Sequence, residues 1–335
     1  MKKRSIFLLI TFIFTAIVVS FISFKEEKEK TNVVVVVKEL NSQYFQIIKA
    51  GVEKGFEDLG LGGSVIAPIN GTVEEQVEML ENVLKEKPDI LIVSPISPDP
   101  IIPVLDRFAD QNIPVLLLDT DDPWENKTAY IGTDNYDLGR KAGMLLASEL
   151  QPGDKVAMIG GDNPVISGRR MNGAKISLEA VGIHIASEKT SISELSNDPI
   201  QIKEAIEEIL QDHPDLAGVI AVNDISAIHV LETLKEDGLN IPVIGADGIV
   251  DMLELIEKGT LQGTVVQNPY DMGYLSVLTA LKVTNGDTFE MHVDSGVDLI
   301  VKENARRRLE FLKKLLSDLG PLFRQSDLHH QVITS

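Results

Sequence analysis

The chain has 335 residues, of which 44% are hydrophobic, and a formal charge of -20 at pH 7; it can bury one large core or, as we expect, two lobes of ordinary domain size. The acidic balance argues against a nucleic-acid partner, because such binding depends on Lys and Arg side chains that neutralise phosphates. The absence of cysteine excludes disulfides, thiolate catalysis and a lipid-modified cysteine at the end of a signal peptide, and the scattered histidines show no metal-binding spacing, so no cofactor is expected.

The first segment, residues 1–30, combines a basic start with a long apolar run. Three positive charges precede residues 6–24, which are IFLLITFIFTAIVVSFISF. As a helix this run spans roughly 30 Å at about 1.5 Å per residue, enough to cross a bilayer. It is longer than the apolar core of most leaders and lacks an Ala-x-Ala cleavage site, so we favour an uncleaved membrane helix over a cleaved signal peptide. The basic flank places the rest of the chain outside the cytoplasm.

From residue 33 onward, short β-branched runs alternate with longer segments of helical period. This alternation is typical of parallel sheets covered by helices. Four of the runs precede Asp119 and the others follow the loop before Lys155, and a Pro-Asp turn stands before a strand in both halves, so we predict two Rossmann-like lobes related by duplication. The predicted strands are residues 33–37, 64–68, 90–94, 114–119, 155–159, 218–222, 242–246 and 263–267.

Polar residues follow the ends of these strands. In such sheets ligands bind beyond the carboxyl ends of the strands, and two facing lobes bring those ends to one cleft. Carboxylates accept from hydroxyl groups, amides and guanidinium groups donate to them, and aromatic rings cover apolar C–H faces. Each residue alone is better explained as a helix cap or turn residue, but together they suit a polyhydroxylated ligand. The set comprises residues 41–45, Asp119, Asn223, Asp224, Asp247 and Gln267.

Several phrases occur along the chain in a characteristic order. They are VVVVVKELNSQYFQIIKAGVEKGFEDLG, DILIVSP, IPVLLLDTD, IGTDNYDLGRKAG, SGRRMNGA, LAGVIAVNDISAIHVL, IPVIGADG, GTVVQNPYDMG and VDLIVK. In that order, residues 31–302 resemble the periplasmic sugar-binding proteins of the ribose and galactose type, whose fold the effector-binding cores of the lactose-repressor family share. The resemblance implies an α/β type I periplasmic-binding-protein fold, with two Rossmann-like lobes joined by three crossovers, here preceded by an N-terminal membrane helix.

The resemblance also implies a division of the chain. Crossovers are expected near residues 133–134, 267–268 and 297–298. Residues 303–335 form an extension beyond the usual end of the family, with a helix at 303–319 that either packs back on a lobe or docks on a partner. The full division is residues 1–30 as anchor or signal segment and stalk, 31–133 plus 268–297 as lobe 1, 134–267 plus 298–302 as lobe 2, and 303–335 as a C-terminal helical extension.

Lobe 1 supplies one side of the implied binding site. Ser42 and Asp119 are expected to bind hydroxyl groups of the ligand. Tyr44 and Phe45 occupy the positions that line or sandwich the sugar ring.

Lobe 2 supplies the other side. Arg170 is expected to fork across two ligand hydroxyls, with Arg169 as the alternative if the register differs by one residue. Asn223, Asp247 and Gln267 complete the ring of polar contacts.

Two departures from the ribose-type pattern argue against ribose itself while leaving the sugar class standing. Thr120 follows Asp119 where that pattern has arginine, so one charged donor is missing, and residues 191–199 lack the usual aromatic side chain. Trp124 either fills part of the space near Asp119 or is a structural plug.

We therefore expect extracytoplasmic binding of a small sugar or polyol, with ligand-driven closure of the cleft. The missing lipid-carrying cysteine and the apparent anchor favour a sensor that signals to a membrane kinase; the alternative is a substrate-binding protein that delivers sugar to an ABC permease. A glycosidase using Asp119 and Asp247 is a remote alternative. Hydrolysis needs one carboxyl group with a raised pKa and room for a water molecule, and the sequence shows no sign of either, so the chain is not expected to be an enzyme. A transcription regulator would carry a helix-turn-helix where the apolar segment stands.

Overall fold

The fold is described from a computed structural model for residues 31–161, 166–192 and 198–318. The predicted membrane helix and stalk at residues 1–30 lie outside the described residues, as does the end of the C-terminal extension. Within the described ranges, no helix has the length and hydropathy that crossing a bilayer requires.

The first half of the chain alternates strands and helices almost without exception. Its elements are β1 (Asn32–Val36), α1 (Gln43–Leu59), β2 (Gly62–Ile66), α2 (Val73–Glu86), β3 (Ile90–Val93), α3 (Pro98–Asp110), β4 (Val115–Leu118), β5 (Ala129–Gly132), α4 (Asn135–Ala147), β6 (Lys155–Gly161) and α5 (Ile166–Glu179).

The second half continues the pattern and ends in a long helix. Its elements are β7 (His184–Ile192), α6 (Pro199–Asp212), β8 (Leu216–Ala221), α7 (Asp224–Glu236), β9 (Val243–Ala246), α8 (Val250–Glu257), β10 (Gly263–Gln267), α9 (Pro269–Asn285), β11 (His292–Asp294), β12 (Val297–Val301) and α10 (Lys302–Asp318).

The strands form two six-stranded sheets with the same topology. The first sheet has the order β2-β1-β3-β4-β5-β11 and the second has the order β7-β6-β8-β9-β10-β12. The first sheet is parallel throughout, whereas β12 runs antiparallel to β10 at the edge of the second. The matching order agrees with the predicted duplication, and the two sheets with their helices form the two lobes.

The valines of β1 show why the apolar runs form central strands. Val33 and Val35 pack in the cluster beneath α1 and α9, whereas Val34 and Val36 pack in the cluster beneath α2 and α3. Successive side chains of a strand point to opposite faces, and a sheet covered on both faces needs apolar residues at every position. Continuous apolar runs are therefore central strands here.

Each predicted strand corresponds to an observed one, with ends displaced by up to two residues. The list of predicted strands does not contain β5, β7, β11 or β12. The edge strand β7 has a polar sequence, HIASEKTSI, because an edge strand pairs with one neighbour and buries less, and β12 is also an edge strand. β5 and β11 are short, and β11 has only 3 residues, too few to show a period.

The chain passes between the sheets at three places. It leaves the first sheet after β5, returns after β10, and leaves again between Asp294 and Val297. The first two passages lie where crossovers were predicted, and the third lies slightly before the predicted residues 297–298. We refer to these places as the first, second and third crossings.

A close helix pair follows the same plan in each lobe. In lobe 1, Gly51 of α1 and Gly273 of α9 meet the backbone of the opposite helix; in lobe 2, Gly139 of α4 and Gly173 of α5 do the same. A β-carbon at any of these positions would overlap a backbone atom of the partner helix. The glycines thus set the short distance between α1 and α9 in lobe 1 and between α4 and α5 in lobe 2.

We expect Gly139→Ala to lower the free energy of unfolding by about 1–3 kcal/mol, because the new methyl group forces α4 away from the carbonyl oxygen of Arg170. The matched control is Gly168→Ala in α5, where a β-carbon meets no atom within 4 Å; it should be neutral or stabilise by up to about 1 kcal/mol. Urea titration followed by circular dichroism measures both. Equal effects of the two substitutions would contradict the close-packing argument.

Candidate functional site

The predicted lobe 1 residues lie where β1 leads into α1. Ser42 is the N-cap residue of α1, with an extended backbone and no capping hydrogen bond from its side chain. Its hydroxyl oxygen is buried and has no hydrogen-bond partner among the described residues. The ring of Tyr44 contacts that of Phe45 edge-on, with 5.3 Å between centroids. Phe45 also belongs to the lobe 1 core, so this aromatic pair is rigidly held.

Asp119 lies directly after β4 and is the anionic centre of lobe 1. One carboxylate oxygen accepts from the Tyr44 hydroxyl at 2.8 Å and the other from Lys38 Nζ at 2.9 Å. Lys38 was not among the predicted site residues. It follows β1, and its ammonium lies 5.7 Å from the Phe45 ring centroid. Lys38 provides a cation beside Asp119, which the sequence pattern with Thr120 had suggested was missing.

The charges of lobe 1 explain the protonation states of this pair. Burial raises the pKa of Asp119, but the charge of Lys38 and the hydrogen bonds from Lys38 and Tyr44 outweigh burial and hold that pKa below its ordinary value. Burial and the neighbouring charge of Asp119 raise the pKa of Tyr44 well above its ordinary value. Asp119 is therefore an ionised acceptor and Tyr44 a protonated donor.

Arg170 is the guanidinium that faces the cleft from lobe 2. Its Nη1 atom donates to the carbonyl oxygen of Val222 at 2.6 Å and lies 3.4 Å from an Asp247 oxygen, while its Nε donates to Asn135 at 2.8 Å. Arg169, the alternative in the predicted register, has an exposed side chain paired with Asp134. The geometry therefore favours Arg170.

Asp247 follows β9 in a strained conformation. Its φ is +112°, and that of Asp119 is +64°, angles that side chains with a β-carbon rarely adopt and that cost of order 1–3 kcal/mol. Burial raises the pKa of Asp247, against the opposing charge of Arg170. Gln267 Nε2 donates to this carboxylate at 2.6 Å. Both site carboxylates thus occupy positions where glycine would be relaxed, a pattern found at functional sites.

Asp224 lies beneath the Asp247 turn and is fully buried. One of its oxygens accepts from the backbone N–H groups of Gly248 and Ile249 at 2.6 and 2.9 Å, and the other from the Thr264 hydroxyl at 2.8 Å. Burial and the nearby charge of Asp247 raise the pKa of Asp224 well above its ordinary value. Asp224 therefore holds the strained turn from below.

Asn223 and Trp124 have structural roles in the described residues. The Asn223 side chain caps α7 by accepting from Ser226 N at 2.8 Å. Trp124 lies in the outer core of lobe 1, and its indole donates to Asp106 at 2.8 Å. These contacts favour the structural plug over a ligand contact for Trp124.

Gln267, the last residue of β10, joins the two halves of the site. Its amide oxygen accepts from Thr133 at 2.8 Å, and its amide nitrogen donates to Asp247. The same oxygen lies 3.2 Å from the Tyr44 hydroxyl, whose single proton is directed to Asp119 at the shorter distance of 2.8 Å. The result is one continuous chain of polar contacts that spans both lobes. In order, it comprises Lys38, Asp119, Tyr44, Gln267, Asp247 and Arg170.

Two further contacts close the cleft. The side-chain oxygen of Gln43 in α1 accepts from Val250 N of lobe 2 at 3.3 Å. Ile47, also in α1, is buried in the core cluster of lobe 2. The lobes are therefore in a closed arrangement. Among the described residues, no group of three or more His, Asp or Glu side chains is placed to hold a metal ion.

We expect Asp224→Asn to stabilise the protein increasingly as pH rises. The folded state holds the Asp224 proton more tightly than the unfolded state, so wild-type stability falls as pH rises from the ordinary carboxyl pKa toward the raised one. The variant has no such proton. Its advantage should grow by about 1.4 kcal/mol per pH unit within that window, as measured by urea titrations between about pH 4 and about pH 8.

The control is Asp224→Ala, which leaves the N–H groups of Gly248 and Ile249 without their acceptor. It should destabilise by roughly 2 kcal/mol or more at every pH. A stability difference between Asp224→Asn and wild type that does not vary with pH would show that the pKa of Asp224 is the same in the folded and unfolded states, against this prediction.

The chain is similar to known proteins over most of its length. A family model described as periplasmic binding protein domain matches residues 33–288. The chain is 28% identical over 267 residues to the ribose import binding protein of Bacillus subtilis (strain 168), covering 78% of this chain and 85% of that protein. It is 26% identical over 276 residues to the ribose import binding protein of Escherichia coli (strain K12), covering 82% of this chain and 92% of that protein.

Among solved structures, that of GanP, a glucose-galactose binding protein from Geobacillus stearothermophilus, matches with a TM-score of 0.75 and 28% identity, covering 83% of this chain and 99% of that chain. The family model spans more than half of the sequence, and the two-lobed α/β architecture agrees with it. The chain therefore belongs to the periplasmic binding protein domain family.

Proposed function

We propose that the chain is the substrate-binding component of an ABC importer and binds a small sugar or polyol in the cleft between its lobes. The observation that carries the proposal is the chain of polar contacts from Lys38 to Arg170, which places hydroxyl donors and acceptors from both lobes at one site. Relatives named as ribose import binding proteins support both the sugar class and the transport role.

The proposed ligand contacts follow from the chemistry of each group. Asp119 and Asp247 accept from ligand hydroxyls, and Arg170 and Gln267 donate to them. The buried Ser42 hydroxyl, which has no partner among the described residues, gains one from the ligand. Tyr44 and Phe45 cover an apolar face of the ring, and Asn223 completes the set. A ligand that exchanges these contacts in both lobes favours the closed state.

The opposite pKa shifts of Asp119 and Asp247 also resemble the requirement for a glycosidase, one protonated and one ionised carboxyl group. The family, however, consists of non-enzymatic binding components. Both carboxylates are also held by donors, Asp119 by Lys38 and Tyr44, and Asp247 by Gln267 and Arg170. We therefore assign them to hydroxyl recognition.

The remaining parts of the chain are assigned to location and delivery. In this proposal residues 1–30 either direct export or hold the protein at the outer face of the membrane. Residues 31–133 with 268–297 form lobe 1, and residues 134–267 with 298–302 form lobe 2. The closed receptor docks on a permease. Signalling to a sensor kinase is the second candidate, favoured by the apolar N-terminal run and the absence of cysteine.

The ligand class can be tested by thermal unfolding of the purified protein with millimolar D-ribose, D-allose, D-galactose, D-glucose, D-arabinose, xylitol or glycerol. A ligand that binds only the folded state adds about 2.7 kcal/mol at a concentration of 100 Kd, so at least one compound should raise the midpoint clearly. If none changes the midpoint, the sugar and polyol assignment is wrong.

The site can be tested with two adjacent arginines. Arg170→Met removes a buried donor at the cleft and should weaken binding of the most stabilising compound by about 100-fold, since it leaves Asp247 and ligand hydroxyls unpaired. Arg169→Met removes an exposed arginine paired with Asp134 and should leave the dissociation constant within about twofold. Isothermal titration measures both, and equal affinities would refute the site.

Transport and sensing differ in what deletion of the gene abolishes. An importer component is required for uptake of the radiolabelled ligand at low concentration. A sensor is required for ligand-induced transcription while uptake continues. Loss of induction with normal uptake would replace the proposed role by the second candidate.

A further inference from the structure

The C-terminal helix α10 lies beyond the matched family region, which ends at residue 288, yet it is part of the folded molecule. Ala305, Leu309, Leu312 and Leu316 are buried in the lobe 2 core. The helix α10 contacts α1 of lobe 1 as well as α8 of lobe 2. The helix therefore touches both lobes.

Arg308 extends from α10 to the second crossing. Its Nη2 atom donates to the carbonyl oxygen of Gln267 at 3.3 Å and to the side-chain oxygen of Asn268 at 3.1 Å. Gln267 ends β10 in lobe 2, and Asn268 is the N-cap residue of α9, which packs on lobe 1. Arg308 thus binds the chain at the point where it passes between the lobes.

The second crossing is in turn bonded to the other two. Asn268 Nδ2 donates to the carbonyl oxygen of Ser295 at the third crossing, at 3.3 Å. The Thr133 hydroxyl at the first crossing donates to the Gln267 side chain at 2.8 Å and lies 3.5 Å from the Ser295 hydroxyl. One polar network therefore connects Arg308 to all three crossings and, through the Gln267 side chain, to the cleft.

Apolar contacts beside Arg308 also join the lobes. Phe311 of α10 packs edge-on against Tyr270 of α9, with 6.0 Å between ring centroids, and the Arg308 guanidinium lies 5.9 Å from the Phe311 centroid. Ile47 of α1 lies in the core cluster to which α10 contributes. Contacts between elements of different lobes depend on the angle between the lobes, so they stabilise the arrangement in which they form.

We propose that Arg308 is a positioning residue for ligand binding: it holds the second crossing in the form that places Gln267 across the cleft, and α10 thereby biases the two lobes toward closure. Arg308 acts through Gln267 and Asn268 and touches no ligand. The effect on affinity rests on the proposed function, whereas the effect on the resting arrangement of the lobes does not.

The test compares Arg308→Met, which keeps the apolar stem and removes the donors, with Arg306→Met. Arg306 lies on the same helix, is exposed and pairs with Glu310 of that helix at 3.1 Å, so it is a matched control. Small-angle X-ray scattering of the full-length ligand-free protein measures the lobe arrangement through the radius of gyration. Isothermal titration with the most stabilising compound of the sugar panel measures affinity.

We expect Arg308→Met to increase the ligand-free radius of gyration and to weaken binding by about tenfold, because closure then lacks a charge-assisted hydrogen bond. At saturating ligand its radius should equal that of wild type. Arg306→Met should match wild type in both measurements. An Arg308→Met protein with normal circular dichroism and an unchanged radius would overturn the proposal, even if its melting temperature were lower.

A second variant approaches the same contact from the other side. Asn268→Ala removes the nearer of the two acceptors of Arg308 and should reproduce much of the larger radius, so the double variant with Arg308→Met should show less than the sum of the two single effects. Additive effects of the two substitutions would contradict the shared contact, and Asn268→Ala supplies the test if Arg308→Met does not fold. The radius of gyration is measured on the ligand-free protein. If no compound of the sugar panel binds, the proposed function is refuted, but the radius still tests the role of Arg308.

Discussion

The Gln267 side chain contacts three separate parts of the molecule. Its oxygen accepts from Thr133 of the first crossing and lies 3.2 Å from the Tyr44 hydroxyl of lobe 1, and its nitrogen donates to Asp247 of lobe 2. A primary amide is suited to this place because it offers an acceptor and a donor at a fixed separation. A carboxylate there would lie against the Asp247 oxygen without a proton to donate, and an apolar side chain would leave buried groups unpaired. Gln267 thus belongs both to the cleft and to the second crossing.

The two carboxylates on either side of Gln267 have opposite electrostatic environments. The pKa of Asp119 is held down by Lys38 and Tyr44 against the effect of burial, whereas burial dominates at Asp247 despite Arg170. Both have positive φ angles. The turn at Asp247 is held by Asp224, whose carboxylate accepts from the two backbone N–H groups that follow it. Strain of this kind persists where the surrounding structure over-determines it, and Asp224 is the group that does so here.

The C-terminal helix α10 connects the lobe 2 core to the second crossing. The side chains of α10 complete the lobe 2 core, so the helix is anchored, and Arg308 then reaches the one segment whose conformation sets the direction in which the Gln267 side chain points. A receptor that is partly closed before ligand arrives loses less of its intrinsic affinity to the cost of closing. The energy of α10 packing thereby contributes to ligand affinity at a distance from the cleft.

The sequence alone determined the alternation of strands and helices, the two-lobed fold and the positions of most polar residues at strand ends, because these depend on local period and on the rule that parallel strands share one binding edge. The sequence pattern after Asp119 indicated that one charged donor is missing there, and it did not reveal that Lys38 lies beside Asp119. Lys38 lies 81 residues from Asp119 along the chain, and only the pairing of β1 with β3 and of β3 with β4 brings the two together. The positive φ angles at Asp119 and Asp247, the burial of Arg170 beside an exposed Arg169 and the contact of Arg308 with the second crossing were likewise decided by tertiary structure, since each depends on backbone conformation or on packing between segments distant in sequence.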